Sequence, residues 1–578
     1  MSSRELDSVL SGPNVDANLN RALDALVDLA SKGHKPNAEF FNPSEEWIVS
    51  KMRILQDLSE EDQGKWLDEA RKVEEESKRL DGEGRAAARA WPEVVVRLDN
   101  GGLSFFSQLG VARRPDLTQY FVDGFTRNRD SLAVSVELQS LLSEIVPYIT
   151  RYMEERFSEG DTIVQTDRQL GDADGRTFHA RQLLFGTTYM QLPYMWRQLT
   201  FELPEAQISE PPDILEVSVP RWLEDLGLSD ELKQRVSDAG IPQLVFKAPT
   251  KGLSLHLGFD YMGEHKMGPL SIAMFKVKEN AGLAIQAALS VCRVRTQGGK
   301  WSNSALVTAG PSLHGKSTLT IMLELAGSRL SHLLGLSEDP DEGVYPMNDD
   351  IVLIQPLSEP IEVKRGSKPF SVGYGIDGTE NNFYAVPFGL NREDDPITFD
   401  VVRGADGSSG SREILENVLV NPSTGEPDYM QNPVRNMRMV LPRERLLERK
   451  GISNLLNSIT GGSTQHSVHV PMEHMDKILW QGVMRQNTVA PPLIRLNCEQ
   501  FVRSLMFGEA VQTGAVAGAV GGRPYVEYFS DPFIIGLEDE NANSLYRILK
   551  ELEQGGLPQE YYIFNTGGVG AESNNETS

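Results

Sequence analysis

The chain opens on helical spacing. In LNRALDALVDLA, Leu19, Leu23 and Leu26 recur at i, i+4 and i+7, one face of a helix. The charged stretch SEEDQGKWLDEARKVEEESKRL predicts a second, amphipathic helix with a solvated outer face. From Val94 the pattern changes to β-rich segments, EVVVRLDNGG and DSLAVSVE, mixed with a helical run, LQSLLSEIVPYITRYMEERF. After about Gln243 short apolar runs of strand character dominate: QLVFKAP, LSLHLGF, SALVTA, DIVLI, MRMVLP, KILWQGV and YYIFNT. The Pro-rich stretch ELPEAQISEPPD (202–213) reads as a surface connection. The region from Pro369 to Pro433, with GADGSSGS at 404–411, reads as long, loop-rich and mobile, and the polar end AESNNETS as a disordered tail.

This pattern predicts an α/β protein: a helical N-terminal extension over 1–95, a mixed α/β domain over 96–242, a nucleotide-binding domain on a mostly β sheet over 243–570, and a tail over 571–578. A 578-residue chain that is 40% hydrophobic has material for several cores. Against 56 Lys and Arg stand 82 Asp and Glu, a formal charge of −26 that repels phosphate backbones and anionic lipid. Neither nucleic acid nor membrane is therefore an expected partner. Cys292 and Cys498 are the only cysteines, too few for a disulfide framework or a zinc site, so a reducing compartment is expected. The first residues have no basic region leading into an apolar one, and no apolar run approaches the roughly 18–20 residues that span a bilayer. The expected location is cytoplasmic.

SALVTAGPSLHGKSTLTIMLELAG carries the most chemistry. A strand-like run, Ser304 to Ala309, is followed by Gly310-Pro311-Ser312-Leu313-His314-Gly315-Lys316-Ser317, which fits GxxxxGK[ST], and then by helical character from Thr318 to Leu325. Such a loop curls so that successive N–H groups, here from Gly310, Ser312, Leu313, His314, Gly315, Lys316, Ser317 and Thr318, face phosphate oxygens at a helix N-terminus. Lys316 would reach the β and γ oxygens and the Ser317 hydroxyl would ligate Mg²⁺, with ATP as the expected nucleotide and Mn²⁺ an alternative ion. A second anionic metal ligand is expected beside an apolar strand, and MNDDIVLI supplies Asp349 and Asp350, either of which could be the direct ligand.

The order of segments resembles ATP-dependent phosphoenolpyruvate carboxykinase and, more distantly, the HPr-kinase-type P-loop proteins. LVFKAPTKGLSLHLGFDYMGEHKMGPLSIAMF (244–275) is similar to the family's Y-x-G-E-x-K-K-G strand and helix; NDDIVLI stands where the family has G-D-D. ILENVLVNPSTGEPDYMQNPVRNMRMVLP, APPLIRLN and YYIFNTGG resemble L-E-N-V … N-T-R-x-x-Y-P, L-P-P-V-S-x-L-T and Y-L-V-N-T-G-W, and GDADGRTFHARQLL (171–184) resembles an N-terminal-domain segment. The likeness runs from about 163 to 568, so the 96–242 domain is carboxykinase-like only weakly. It implies that Lys266 sits over the transferring phosphoryl group, that Arg438 contacts the γ-phosphate and the acceptor, that Tyr261 lines the substrate pocket, and that Arg127 binds a substrate carboxylate. With Lys316 and Asp350, Lys266 and Arg438 make up the implied catalytic set.

The chain also departs from the family. The second lysine of K-K is Met267, and the histidine expected before the P-loop strand is replaced in LSVCRVRTQ by Val291 or Cys292, so hard ligation of a second metal is lost. The adenine-side arginine of G-T-E-R-G is replaced within AGAVGG (517–522). The kinase half of the site is expected to be retained and the decarboxylase half altered. Three functions follow: a phosphotransferase acting on a small-molecule or protein acceptor, a divergent carboxykinase with other ligands (His265 a candidate, although on a strand it would face away from Lys266), or a nucleotide-binding regulator. His466, His469 and His474 match no metal template and read as a loop, and DGSSGS as a linker.

Overall fold

The computed structural model describes residues 16–36, 38–82, 94–111, 114–121, 132–159, 162–310, 315–322, 332–333, 339–365, 368–404, 413–431, 436–462, 466–484, 491–506, 508–511, 524–527 and 538–566. These form a mixed α/β protein built on three larger sheets.

The first sheet contains β1 (Ile163–Leu170), β2 (Phe178–Phe185), β3 (Ile214–Val219), β4 (Leu244–Ala248) and β5 (Leu253–Leu257), with short strands at Thr118–Tyr120, Leu132–Ala133 and Phe201–Glu202 on its flanks. The main strands lie in the spatial order β4-β5-β3-β2-β1, with β5, β3 and β2 mutually parallel and β1 and β4 antiparallel to their neighbours. One face is apolar. Leu183, Leu215, Val217, Leu253 and Leu255 pack there against the helices Ala17–Lys32 and Val136–Glu159, and Leu19, Leu23 and Leu26, spaced for one helix face, are all buried in that core. Asp16 caps the first helix, its carboxylate accepting from the N–H groups of Asn18 and Leu19. The stretch 60–82 is also helical, burying Trp66, Ala70 and Val73 along one side.

The opposite face is polar. The register sets Gln182, Glu216, Ser254 and Lys247 side by side across β2, β3, β5 and β4, with Ser218 and His256 in the row beside them. Helix α1 (Met262–Glu279) covers this face and leads into the second sheet.

The second sheet comprises β6 (Leu283–Arg295), β7 (Trp301–Ala309), β8 (Gly343–Asn348), β9 (Ile351–Arg365), β10 (Lys368–Gly378), β11 (Lys477–Met484), β12 (Leu493–Leu496) and β13 (Gln559–Asn565). Its order is β10-β9-β6-β7-β11-β13-β12, with β8 also paired to β6. Strands β7, β11 and β13 run parallel, as strands leading into helical crossovers do. A third sheet joins Val95–Arg97, Leu103–Phe105, Ile414–Glu416, Arg438–Leu441 and Phe383–Ala385.

The region 369–433 is not the loop expected from its glycines and polar runs. It holds most of β10, strands at Phe383–Ala385, Ile414–Glu416, Leu419–Val420 and Pro427–Asp428, and a helix at Pro396–Arg403. In β10 the buried residues Phe370, Val372, Tyr374 and Ile376 alternate with Ser371, Gly373 and Gly375, a period-2 signal hidden by the small residues between. The GADGSSGS segment beyond Gly404 and the tail lie outside the described residues. Among the described residues of DSLAVSVE only Leu132–Ala133 is strand, and helix begins at Val136. No described helix is long and apolar enough to cross a membrane.

Candidate active site

The site forms where three structural pieces converge. Strand β7 ends at Ala309, and Gly310 follows with its N–H donated to the Gln286 carbonyl at 3.2 Å. Gly315 adopts φ +89°, a conformation that glycine takes without steric penalty. A helical turn opens there: Leu319 N–H donates to Gly315 O at 2.9 Å and the Thr320 hydroxyl to Lys316 O at 2.8 Å. Lys316 is buried, and Ser317 is half-buried beside it. Ser312, Leu313 and His314 lie outside the described residues, as does Arg127; Thr318 is described only in its backbone.

The second piece is the tight connection between β8 and β9. Asp350 O accepts from the Ala287 N–H at 2.7 Å, pinning the turn to β6. Asn348 holds the next strand end in place: its Oδ1 accepts from the N–H groups of Thr379 and Glu380 at 3.1 and 3.2 Å, and its Nδ2 donates to Ile351 O at 2.7 Å. The third piece is the first turn of α1, whose Met262 N–H donates to Glu416 Oε1 at 2.8 Å. A carboxylate at a helix N-terminus meets the positive end of the helix dipole.

These pieces bring Lys266, Lys316, Asp349, Asp350 and Arg438 together. Lys266 Nζ lies 3.0 Å from Asp350 Oδ2 and 3.1 Å from Glu380 Oε1, and Lys316 Nζ lies 3.2 Å from Asp350 Oδ1. The ring of Tyr384 faces both Lys266 and Arg438, 5.2 Å from Lys266 Nζ and 5.7 Å from Arg438 Cζ. Tyr384 donates its hydroxyl to Glu416, and Tyr261 donates its own to Asn436 Oδ1 at 3.1 Å. Arg438 is buried, with Nη1 donating to Met437 O at 3.0 Å.

Burial opposes charge on Lys266, yet the fields of Asp350, Glu380 and Asp349 outweigh it and hold the ammonium above its ordinary range. Burial likewise opposes ionisation of Asp350, but Lys266 and Lys316 hold that carboxyl well below the usual carboxylate range. Asp349 and Glu380 are pushed the other way: burial dominates for both, and neighbouring acids add to it. Three carboxyl groups therefore face two lysines.

Asp349 Oδ1 and both Glu380 oxygens, all buried, accept no hydrogen bond from the described residues, Glu380 Oε1 meeting Lys266 only as an ion pair. Buried carboxylate oxygens without donors are the hard ligands that Mg²⁺ and Mn²⁺ prefer. The residues present thus fit a divalent ion held by Asp349, Asp350 or Glu380.

Two expectations are corrected. The residue of β6 that reaches the site is Gln286, with Nε2 3.4 Å from Asp350 Oδ1, not Val291 or Cys292. The antiparallel register sets Gln286 opposite Ile351, next to Asp350, whereas Val291 lies opposite Tyr345, farther along β6. His265 lies on a helix rather than a strand. It still faces away from Lys266, because successive helical residues point about 100° apart. Its ring turns to the first sheet, with Nε2 2.8 Å from Ser218 Oγ. Met267 is buried in the apolar core with Leu270 and Met274, among groups that offer no hard ligand. Burial raises the Cys292 thiol to about 11, so it is protonated at neutral pH. His469, read as a loop residue, pairs with Asp172, its Nδ1 lying 3.0 Å from Asp172 Oδ1.

Glu380, Tyr384, Glu416 and Gln286 were missed from the sequence. Glu416 falls within ILENV, the stretch similar to L-E-N-V, although no role was read from it; the neighbours of the other three carry no motif, and the fold brings all four to this site.

No family model matches the chain. The ATP-dependent phosphoenolpyruvate carboxykinase of Aeropyrum pernix is 30% identical over 321 residues, 54% of this chain and 52% of that protein. The chain is a divergent relative of that carboxykinase. The carboxykinase of the same name from Shouchella clausii is 27% identical over 202 residues, 34% of this chain and 32% of that protein. The chain thus spans about half the length of one carboxykinase relative and about a third of the other.

Proposed function

We propose that this carboxykinase-like chain binds Mg·ATP at Gly310–Thr318 and transfers its γ-phosphoryl group to a small-molecule or protein acceptor. The observation that carries the reading is the sharing of one carboxylate by two lysines, Lys266 at 3.0 Å and Lys316 at 3.2 Å from Asp350, beside Asp349 Oδ1 and the Glu380 oxygens, which accept no hydrogen bond from the described residues. Phosphoryl transfer asks for positioned positive charge around equatorial oxygens rather than a covalent nucleophile. Lys316 would hold the β and γ oxygens, Lys266 would face the group in transfer, and Arg438 would reach the γ-phosphate and the acceptor with two donors at once. Ser317 and Asp349 or Asp350 would hold Mg²⁺ (or Mn²⁺), which would offset the charge of the phosphate oxygens. Tyr261 would line the acceptor pocket. Arg127, assigned to an acceptor carboxylate, rests on the sequence resemblance alone.

A second reading is favoured by the names of both relatives: conversion of oxaloacetate to phosphoenolpyruvate and CO₂. Met267 in an apolar core weighs against it, because that position offers the second metal nothing to bind.

One coupled assay separates the two. Purified protein with Mg²⁺ or Mn²⁺, ATP and oxaloacetate is followed for ADP and phosphoenolpyruvate, with Lys316→Ala as control. ADP formed without phosphoenolpyruvate, and lost in the control, supports transfer to another acceptor or to water. Phosphoenolpyruvate that disappears in the control establishes the carboxykinase reaction. Nucleotide binding with neither product favours a regulator.

A further inference from the structure

Helix α1 carries a second group of chemical residues on the side that faces away from Lys266. His265 stacks on His256 of β5, ring centroids 4.7 Å apart and 22° from parallel, and Glu216 of β3 lies beside them. All three side chains are fully or almost fully buried. One ligand atom from each, a carboxylate oxygen or an imidazole nitrogen, falls within 4.8 Å of the other two.

We propose that Glu216, His256 and His265 form a site for a transition-metal dication of the zinc class, separate from the nucleotide site. Four observations carry it. First, Glu216 Oε1 accepts no hydrogen bond among the described residues although the side chain is completely buried. Burial alone favours the neutral acid there, and the ionised form calls for a cation. Second, Glu216 Oε1 and His256 Nε2 are 3.5 Å apart, too long for a good hydrogen bond, but close to the edge of a tetrahedron built on metal bonds of about 2.0–2.1 Å. Third, the neighbours orient the ligands. His265 Nδ1 lies 2.9 Å from the Tyr261 carbonyl and must donate to it, which leaves the Nε2 lone pair free, with the Ser218 hydroxyl as its present donor at 2.8 Å. Gln182 Nε2 donates to Glu216 Oε2 at 3.0 Å, which turns Oε1 toward the histidines. Fourth, α1 lies close enough to touch the site: a Cβ at Gly268 would meet His256 Nε2 at 2.5 Å.

Two imidazoles and one carboxylate suit Zn²⁺ and its first-row neighbours, whereas Mg²⁺ favours oxygen ligands. The remaining separations close by small side-chain rotations, with a hydroxyl of Ser218 or Ser254, or a water, as the fourth ligand. Such an ion would tie β3 and β5 to the first turn of α1, the turn that carries Lys266. Complete burial means that it enters as the chain folds and resists chelators afterwards.

The test uses the full chain expressed in zinc-supplemented medium, dialysed against EDTA and analysed for metal by mass spectrometry. About one zinc per chain is expected, unchanged in Lys316→Ala and lost in Glu216→Gln and His256→Asn. Cobalt-grown protein should show the visible bands of tetrahedral Co²⁺. Metal-free wild type, or variants that fold and keep their zinc, would overturn the proposal. If the variants do not fold, X-ray absorption of the zinc-loaded wild type decides: a shell with two imidazoles and carboxylate oxygen supports the site, and a sulfur-containing or all-oxygen shell refutes it.

Discussion

Lys266 and Glu380 face each other across 3.1 Å with 3% and 2% of their side chains exposed. Glu380 shares the lysine with Asp350, and its oxygens accept no hydrogen bond from the described residues. The acid is therefore only partly compensated, and a metal-bound nucleotide is what would complete the balance. Glu380→Gln should weaken Mg·ATP binding by about 10–100-fold, equivalent to roughly 1.4–2.8 kcal/mol. Calorimetric titration across Mg²⁺ concentrations checks this; an unchanged affinity would remove Glu380 from the site.

Lysines 266 and 316 should differ on replacement. Removing Lys266 leaves Glu380 without a cation within 4 Å among the described residues and Asp350 with Lys316 alone. Breaking a buried pair in this way costs about 3–5 kcal/mol. Lys316→Met leaves Asp350 paired with Lys266, so it should cost clearly less stability while abolishing nucleotide binding. Urea unfolding of Lys266→Met and Lys316→Met reads the contrast, and equal losses would contradict it.

Tyr384 offers both its ring and its hydroxyl. Phenylalanine keeps the face presented to Lys266 and Arg438, whereas leucine loses it. Tyr384→Phe should hold nucleotide turnover within a few-fold of wild type, and Tyr384→Leu should lower it by about 10-fold, a cation–π contribution of roughly 1–2 kcal/mol. Should both variants fall equally, the hydroxyl bonded to Glu416 is what matters, and the ring is not.

Glu416 gives the pH prediction. Burial pushes its carboxyl up to about 7, from an ordinary 4.5, even though Tyr384 and the Met262 N–H favour the ionised form. The folded state holds this proton more tightly than the unfolded state does. The group's contribution to stability is therefore fully present below about pH 4.5 and is lost as the pH rises through about 7. Glu416→Gln, which cannot ionise, should gain roughly 1–3 kcal/mol relative to wild type between about pH 4.5 and pH 8. Denaturant curves at the two pH values test it, and a constant difference would show that Glu416 does not ionise in this range.

Much of the fold was legible because burial follows short-range patterns. Leu19, Leu23 and Leu26 advertised a helix face, and the strand runs after Gln243 were where their apolar clusters placed them. In the site, Lys266, Lys316, Asp350 and Arg438 were named from motif and resemblance, and the structure brings all four together. Glu380 and Tyr384 were not legible, and Glu416 lay inside the L-E-N-V likeness without a role being read from it. Each is set there by long-range pairing, Glu416 opposite Arg438 across two antiparallel strands and Glu380 by the Asn348 side chain. The polar belt of Gln182, Glu216, Ser254 and Lys247 was hidden for the same reason, since its members come from four strands spread along the chain from 182 to 254. The cysteine count, read as excluding zinc, says nothing about a histidine–carboxylate set.

Helix α1 belongs to two neighbourhoods at once. Its Met267, Leu270 and Met274 share one core with Ala180 and Ile214 of the first sheet and with Ala284, Ile351 and Leu353 of the second. Neither sheet can shed that helix without exposing half of a common interior. The two should therefore melt in a single transition, and a cut anywhere near Met262–Glu279 would leave two fragments that each need the other to fold: modularity ends where the helix begins.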